Sequence, residues 1–152
     1  MSYLLNYQEG ESVLEPSAGM GNLAIWASAA GARTVTNEID LRRRKLFKHL
    51  GFSPTAYNAE FIHDHLPPEI EADCLVMNPP FSANGGRTAL NSNKFGFRHV
   101  CSALERLKNG GTFGIILGEA AGLDTKTGND FWRKLSERIE VKTIIKINGR
   151  EY

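Results

Sequence analysis

Asp73-Cys74-Leu75-Val76-Met77-Asn78-Pro79-Pro80-Phe81 joins a short apolar run to a rigid polar turn that ends in an aromatic ring. Cys74 to Met77 has the length and apolarity of a strand buried on both faces, and Pro79 removes a backbone donor and ends the ladder. Asn78 is therefore predicted at a strand tip. Two consecutive prolines fix two φ angles and bias Asn78 away from helical geometry, which holds its amide, the carbonyls that follow and the Phe81 ring in one arrangement. Carbonyl acceptors facing an NH2 group, with a flat ring beside them to stack on a planar substrate, form a preorganised site. An isolated Asn-Pro-Pro is equally a turn that only redirects the chain, so the surrounding sequence has to decide.

Outward from this stretch, strand and helix patterns alternate. Ser12 to Leu14 predict a brief strand, Glu15-Pro16-Ser17-Ala18-Gly19-Met20-Gly21-Asn22 a small-residue loop, and Leu23 to Ala30 a helix closed by Gly31. Arg33 to Thr36 read as a second strand with Asn37 and Glu38 at its carboxyl end. Asp40 is placed to cap a helix from Leu41 to Leu50, with Leu46, Phe47 and Leu50 facing inward and Arg42 to Lys45 forming a solvated face. Thr55 to Tyr57 predict a short third strand leading to Asn58-Ala59-Glu60-Phe61, and Pro67 and Pro68 break the path to the opening stretch, the fourth. Past Phe81 comes the polar segment Ser82 to Arg87, then a helix with Phe97, Val100, Cys101, Leu104 and Leu107 at helical spacing, ended by Gly110 and Gly111. Thr112 to Leu117 predict a fifth strand, Phe131, Trp132, Leu135 and Ile139 mark a further helix, and Val141 to Ile147 a sixth strand. This alternation predicts an α/β fold, a mostly parallel doubly wound sheet with helices on both faces, whose ligands bind beyond the carboxyl ends of the strands. The Gly loop, Glu38, Asn58 and Asn78 all fall at those ends.

With 152 residues, 41% of them hydrophobic, and a net charge of +1, the chain reads as one globular domain with a single core. No apolar run reaches a membrane-spanning length and the N-terminus lacks a signal-peptide layout, so a cytoplasmic protein with no membrane partner is expected. The two cysteines, Cys74 and Cys101, read as small core residues, with neither a disulfide framework nor a zinc cluster indicated. His63-Asp64-His65 has no further ligand at metal spacing and reads as a solvated edge; no metal is expected. A near-neutral charge argues against gripping nucleic acid by electrostatics alone, which leaves local basic patches.

Gly19-Met20-Gly21-Asn22-Leu23-Ala24 satisfies the dinucleotide pattern G-x-G-x-x-A, and Glu38 lies near the distance expected of a ribose-binding acid. In dinucleotide folds, however, the first glycine follows the strand directly, so that the pyrophosphate meets the helix N-terminus. Here Glu15 to Ala18 intervene. A carboxylate at the strand end repels a pyrophosphate and suits a cofactor that carries an ammonium and a sulfonium, which favours S-adenosylmethionine over NAD.

Val13-Leu14-Glu15-Pro16-Ser17-Ala18-Gly19-Met20-Gly21 resembles the first motif of S-adenosylmethionine-dependent methyltransferases, and Asn78-Pro79-Pro80-Phe81 is similar to the catalytic motif of enzymes that methylate amino or amide nitrogens. The resemblance implies a Rossmann-like class I methyltransferase fold. It assigns the cofactor to Glu15, Pro16, Ser17, Ala18, Gly19, Gly21 and Asn22, with Glu38 at the ribose and Ile39 beside it, Asn58 and Ala59 at the adenine, and Asn78 near the methyl group. Asn78, Pro79, Pro80 and Phe81 become the catalytic residues. Asn58 departs from the Asp usual in the family.

The NPP-aromatic form resembles adenine-N6 DNA methyltransferases. More narrowly, the whole chain resembles the methyltransferase-like domain of large bacterial, phage or plasmid proteins that also carry a strawberry-notch-type helicase region. DNA is thus the implied nucleic-acid partner, RNA the alternative, and a helicase-like region or other flanking domains the implied protein partners. Against the family pattern, the helix before the first strand is largely missing, the antiparallel seventh strand is lacking and there is no target-recognition domain, so a domain of a larger protein is expected. Transfer would be direct: the Asn78 side-chain oxygen and the Pro79 carbonyl accept from the exocyclic amine, Phe81 stacks on the base, and a duplex adenine is flipped out to reach them. Arg87, Lys94 and Arg98 are candidate phosphate contacts, each also readable as solvated surface. Two alternatives remain open: methylation of a ribosomal RNA guanine amino group or a protein glutamine amide, and a non-catalytic cofactor-binding module in a helicase-like assembly.

Overall fold

A strand buried on both faces needs no alternation of apolar and polar residues, and β3 (Ala72–Met77) shows why. Ala72 is 1% exposed and Cys74, Leu75, Val76 and Met77 are 0% exposed, enclosed by a strand on either side and by helices above and below. The computed structural model describes residues 1–80 and 95–147, in two compact units, Met1–Leu117 and Gly118–Tyr152. In the first unit β1 (Ser12–Glu15) lies beside β3, β2 (Arg33–Thr36) beyond β1, and β4 (Leu107–Ile115) on the other side, in the order β2-β1-β3-β4 with every pairing parallel. Val13 stands opposite Cys74, and Leu14 opposite Leu75.

The connection β1–α2 (Ala24–Ala29)–β2 steps away from β3, whereas β3–α5 (Phe95–Leu104)–β4 steps away from β1. Right-handed crossovers running in opposite directions put α2 and α5 on opposite faces. The strand order reverses between β1 and β3, and it is beyond the carboxyl ends of strands at such a switch point that open parallel sheets bind ligands. Small residues let α2 close on the sheet: Ala24 and Ala27 are fully buried, the latter with Tyr7, Val13, Ala32, Cys74 and Val76. Next, α3 (Leu41–Lys48) is capped by Asp40, whose carboxylate accepts from the amides of Arg42 and Arg43 at 2.8 and 3.0 Å. A one-turn α1 (Ser2–Leu5) packs near β4, and α4 (Ile62–His65) follows a 3-10 turn at Ala59–Phe61.

The second unit is built on α6 (Lys126–Leu135), whose N-terminus is capped by the Thr125 hydroxyl accepting from Gly128 N–H at 2.9 Å. Trp132 Nε1 donates to the Ala121 carbonyl at 2.8 Å and ties the helix to the 3-10 turn at Glu119–Ala121. Among the described residues no helix is long and apolar enough to cross a membrane.

Several expectations are corrected. The third strand, Thr55 to Tyr57, is reduced to one parallel bridge between Thr55 and Asn37. Leu107 opens β4 instead of ending a helix; Gly110 and Gly111 lie within the strand, where the six residues from Leu107 to Thr112 stand against three from Ala72 to Cys74. The positive φ of 78° at Gly110 makes that bulge, and a methyl group on Gly111 would stand 2.8 Å from the Asp73 carbonyl. Val141 to Ile147 form no strand; Ile144, Ile145 and Ile147 are 55–61% exposed, since β-branched residues favour a ladder only where a partner strand is present.

Of the three inward residues expected on α3 only Phe47 is buried, with Leu46 and Leu50 about half exposed. Leu46 and Leu50 share a face one turn apart, and the helix meets the core along a different face, through the Phe47 ring. Cys101 is exposed, not core.

Phe47 shows what the second loop glycine is for. Its ring lies against Ala18, Ala24 and Phe52, and it also fills the place a side chain on Gly21 would take, well inside van der Waals contact, at a backbone φ of 85°. Gly21→Ala should therefore destabilise the domain by roughly 2 to 4 kcal/mol, from overpacking and positive φ together. A thermal or urea unfolding curve unchanged from the parent protein would refute that packing role.

Candidate functional site

Because all four strands are parallel, the β1, β2 and β3 tips lie along one edge of the sheet, and each delivers a polar residue there. At the tip of β1, Glu15 is 2% exposed and its Oε2 accepts from the Ala24 amide at 2.7 Å. The residue before α2, Leu23, provides no side-chain cap, so the carboxyl group reaches across the loop and satisfies a helix N-terminal donor in its place. Burial pushes the Glu15 pKa up to about 8; the Ala24 hydrogen bond opposes the shift and the Glu38 charge adds to it.

At the tip of β2, Asn37 is 1% exposed and its side-chain amide is saturated. Nδ2 donates to the carbonyls of Pro16 and Tyr57, both at 2.9 Å, while Oδ1 accepts from the Thr55 hydroxyl and the Tyr57 amide, both at 2.8 Å. Its backbone carbonyl also accepts from Ala18 N–H at 2.8 Å. The sequence placed Asn37 at a strand end but gave it no role; an amide immediately before Glu38 was the available signal.

Glu38, 3% exposed, bridges two turns. Oε2 accepts from Gly19 N–H at 2.8 Å and Oε1 from Asp40 N–H at 2.7 Å, with Arg43 Nη1 3.6 Å from Oε2. Arg44 Nη1 donates to the carbonyls of Glu38 and Ile39 at 2.8 and 2.7 Å. The basic run on α3 is thus only partly a solvated face: Arg42 is 92% exposed, but Arg43 and Arg44 brace the acid and its turn.

Around these buried acids lies an open surface. Gly19 has a φ of 58° and nothing within 4 Å of the place its side chain would occupy, and Ile39 and Met20 beside it are 62% and 53% exposed. Pro16, Ala18 and Gly21 are buried beneath this surface and Asn22 is exposed. Asn58 is exposed and caps the 3-10 turn, its Oδ1 accepting from Glu60 N–H at 3.1 Å, with Ala59 buried behind it. Asn78 is exposed at the tip of β3 between two buried residues, Met77 and Pro79, and Pro80 is exposed.

Phe81, Arg87 and Lys94 lie outside the described residues. Arg98 pairs with Glu60 at 3.2 Å, so the structure gives it an ion-pair partner in the protein. His63 Nδ1 is 2.7 Å from Ser102 Oγ and the His65 ring stacks on Tyr57. Among the described residues no three metal-ligating side chains come together.

The donor set suits an adenosyl sulfonium. A carboxylate offers about four lone-pair sites, so Glu38 keeps acceptor capacity for two ribose hydroxyls beyond its two backbone bonds. The open face of Gly19 and the exposed Ile39 leave room and an apolar contact beside it.

Comparison with known proteins agrees. Residues 2–142 match the methyltransferase small domain, and the chain belongs to that family. Its cofactor is accordingly S-adenosylmethionine, as the loop after β1 predicts. No protein of curated function matches the sequence.

Among solved structures the fold is similar to TrmN from Thermus thermophilus, with a TM-score of 0.60 and 22% identity over 76% of this chain and 35% of that one. It is similar to a candidate methyltransferase from Streptococcus mutans in complex with SAH, with a TM-score of 0.62 and 12% identity over 97% and 89% of the two chains. An rRNA methylase from Streptococcus thermophilus has a TM-score of 0.58 and 12% identity over 88% and 74%. The chain thus has a Rossmann-like class I methyltransferase fold and spans about a third of the length of TrmN, 35%.

Two measurements check this site. Replacing Asn37 with Leu removes its bonds to two carbonyls and an amide and leaves the Thr55 hydroxyl only its longer bond to the Thr36 carbonyl at 3.4 Å, and should cost at least about 3 kcal/mol of stability in chemical unfolding. For Glu15, a folded pKa of about 8 against an ordinary 4.5 means that its contribution is fully present below the lower value and is lost as pH rises through the upper one. Thermal melts across that window should fall more steeply for the parent than for Glu15→Gln; parallel curves would show that the carboxyl titrates normally.

Proposed function

We propose that this domain transfers a methyl group from S-adenosylmethionine to an exocyclic amino nitrogen, with adenine N6 in DNA as the target. The observation that carries the reading is Asn78: an exposed amide at the tip of β3, whose last four residues are fully buried, on the same edge of the parallel sheet as the loop that carries Gly19. The bound cofactor supplies an electrophilic methyl group. In this reading Glu15 would meet the ammonium and Glu38 the ribose hydroxyls. The Asn58 oxygen is taken by Glu60 N–H, which leaves its NH2 to donate to a ring nitrogen of adenine, where the family's Asp would accept instead. Ile39 offers the apolar surface for that ring.

At the reacting end, the Asn78 side-chain oxygen and the Pro79 carbonyl would accept from the two amine hydrogens and turn the nitrogen lone pair toward the methyl group. Phe81 would stack on the base. A duplex adenine must leave the helix to reach this position, at a cost of a few kcal/mol. The NPP-aromatic form supports adenine. The likeness to an rRNA methylase supports a second reading, an RNA amino group, by the same chemistry. We further propose that the domain works in the cytoplasm within a larger protein whose flanking regions, helicase-like ones among them, hold the nucleic acid.

Calorimetry should show binding of S-adenosylmethionine or SAH and none of NAD; saturable NAD binding would overturn the cofactor assignment. Asn78→Ala should leave cofactor affinity nearly intact while methyl transfer falls by about 100-fold or more. Equal losses would remove Asn78 from the amine site. Incubating genomic DNA and total RNA with radiolabelled cofactor and the protein, then digesting to nucleosides, decides the target: label in N6-methyladenosine from RNA or in methylguanosine would move the assignment from DNA.

A further inference from the structure

We propose that α5 holds the cofactor loop in register with the Asn78-Pro79-Pro80 turn through the Ser17–His99 hydrogen bond, which makes His99 a positioning residue. The roles of the two ends rest on the function proposed above; the contacts that join them do not. His99 is 6% exposed on α5, and its Nδ1 lies 3.0 Å from Ser17 Oγ. Three residues earlier on the same helix, a methyl group on Gly96 would stand 3.3 Å from the Pro80 carbonyl and 3.7 Å from Pro79 Cγ, so the first turn of α5 rests on the proline turn. Positions three apart share a helix face. One face of one helix therefore touches both halves of the site.

The rest of the helix is anchored, since Val100 and Ala103 are 0% exposed, and a displacement at one end is carried to the other. The cofactor loop is held from its other side as well: Asn37 takes the Pro16 carbonyl and the Ala18 amide, the neighbours of Ser17. Ser17 is left as the loop residue whose side chain bonds toward α5. Burial lowers the His99 pKa from its ordinary 6.5, and Glu60 opposes the shift; the neutral ring can donate to the serine oxygen or accept from its hydroxyl.

The test uses the full 15N-labelled chain with SAH as the probe. In the parent protein, SAH should shift the Gly96 amide resonance. In His99→Asn, whose side chain can supply a polar atom near the Nδ1 position, that response should persist. In His99→Phe, which fills the space without a polar atom, SAH should still bind with affinity within about fivefold while the Gly96 response is lost. A Gly96 response as large in His99→Phe as in the parent overturns the proposal, because packing alone would then join the two ends.

Where His99→Phe fails to fold, Ser17→Ala without ligand gives the same reading from the loop side. It should shift both the His99 Nδ1 and the Gly96 resonances, and no shift overturns the proposal. A parent protein that binds no SAH overturns the proposed function instead, and the ligand-free measurement on Ser17→Ala still decides the role of His99.

Discussion

Everything at the carboxyl edge of the sheet depends on one buried amide. The Asn37 side chain makes four hydrogen bonds, to the loop after β1, to the Tyr57 backbone and to the Thr55 hydroxyl, and each closes a gap that secondary structure leaves open. The segment at residues 55–57 pairs with β2 through a single bridge, far too little to hold it as a strand. The side chain does what a ladder would otherwise do. Because the same amide also bonds Pro16, residues 55–57 and the loop after β1 are positioned from one point.

Two carboxyl groups then set the character of this edge. Glu15 and Glu38 are both almost wholly buried, and neither forms a close salt bridge: Arg43 stands at 3.6 Å from Glu38, and both acids are held chiefly by backbone amides. Amide donors stabilise a carboxylate without neutralising it, so the negative potential remains available to a cationic ligand. For Glu15 burial outweighs its amide hydrogen bond and pushes the pKa up to about 8.

The parts of the fold legible in the sequence were those fixed by local chemistry. Buried β3 shows as an unbroken apolar run, Asp40 as a cap, Gly31 as a helix stop, and β1 and β2 fall where the pattern put them. What was missed depends on partners distant in sequence. Val141 to Ile147 have strand propensity but no ladder, and Gly110 and Gly111 look like a helix terminator until Asp73 is seen behind them. Arg43 and Arg44 read as solvated charge because their acceptors, at Glu38 and Ile39, come together only through the turn at Asp40. His99 carries no motif at all, and only the packing of α5 brings it to Ser17.

The two glycines of the loop after β1, Gly19 and Gly21, answer to different constraints, and this bears on how the family can change. Gly21 is required by the ring of Phe47, a matter of packing that persists whether or not the site is used. Gly19 faces open space, and only a ligand gives a side chain there something to collide with. A descendant that abandoned methyl transfer and survived as a scaffold would meet at Gly19 only the strain of a 58° φ, and at Gly21 both a positive φ and the Phe47 ring for as long as position 47 stays aromatic. In such a lineage the first glycine would be lost before the second.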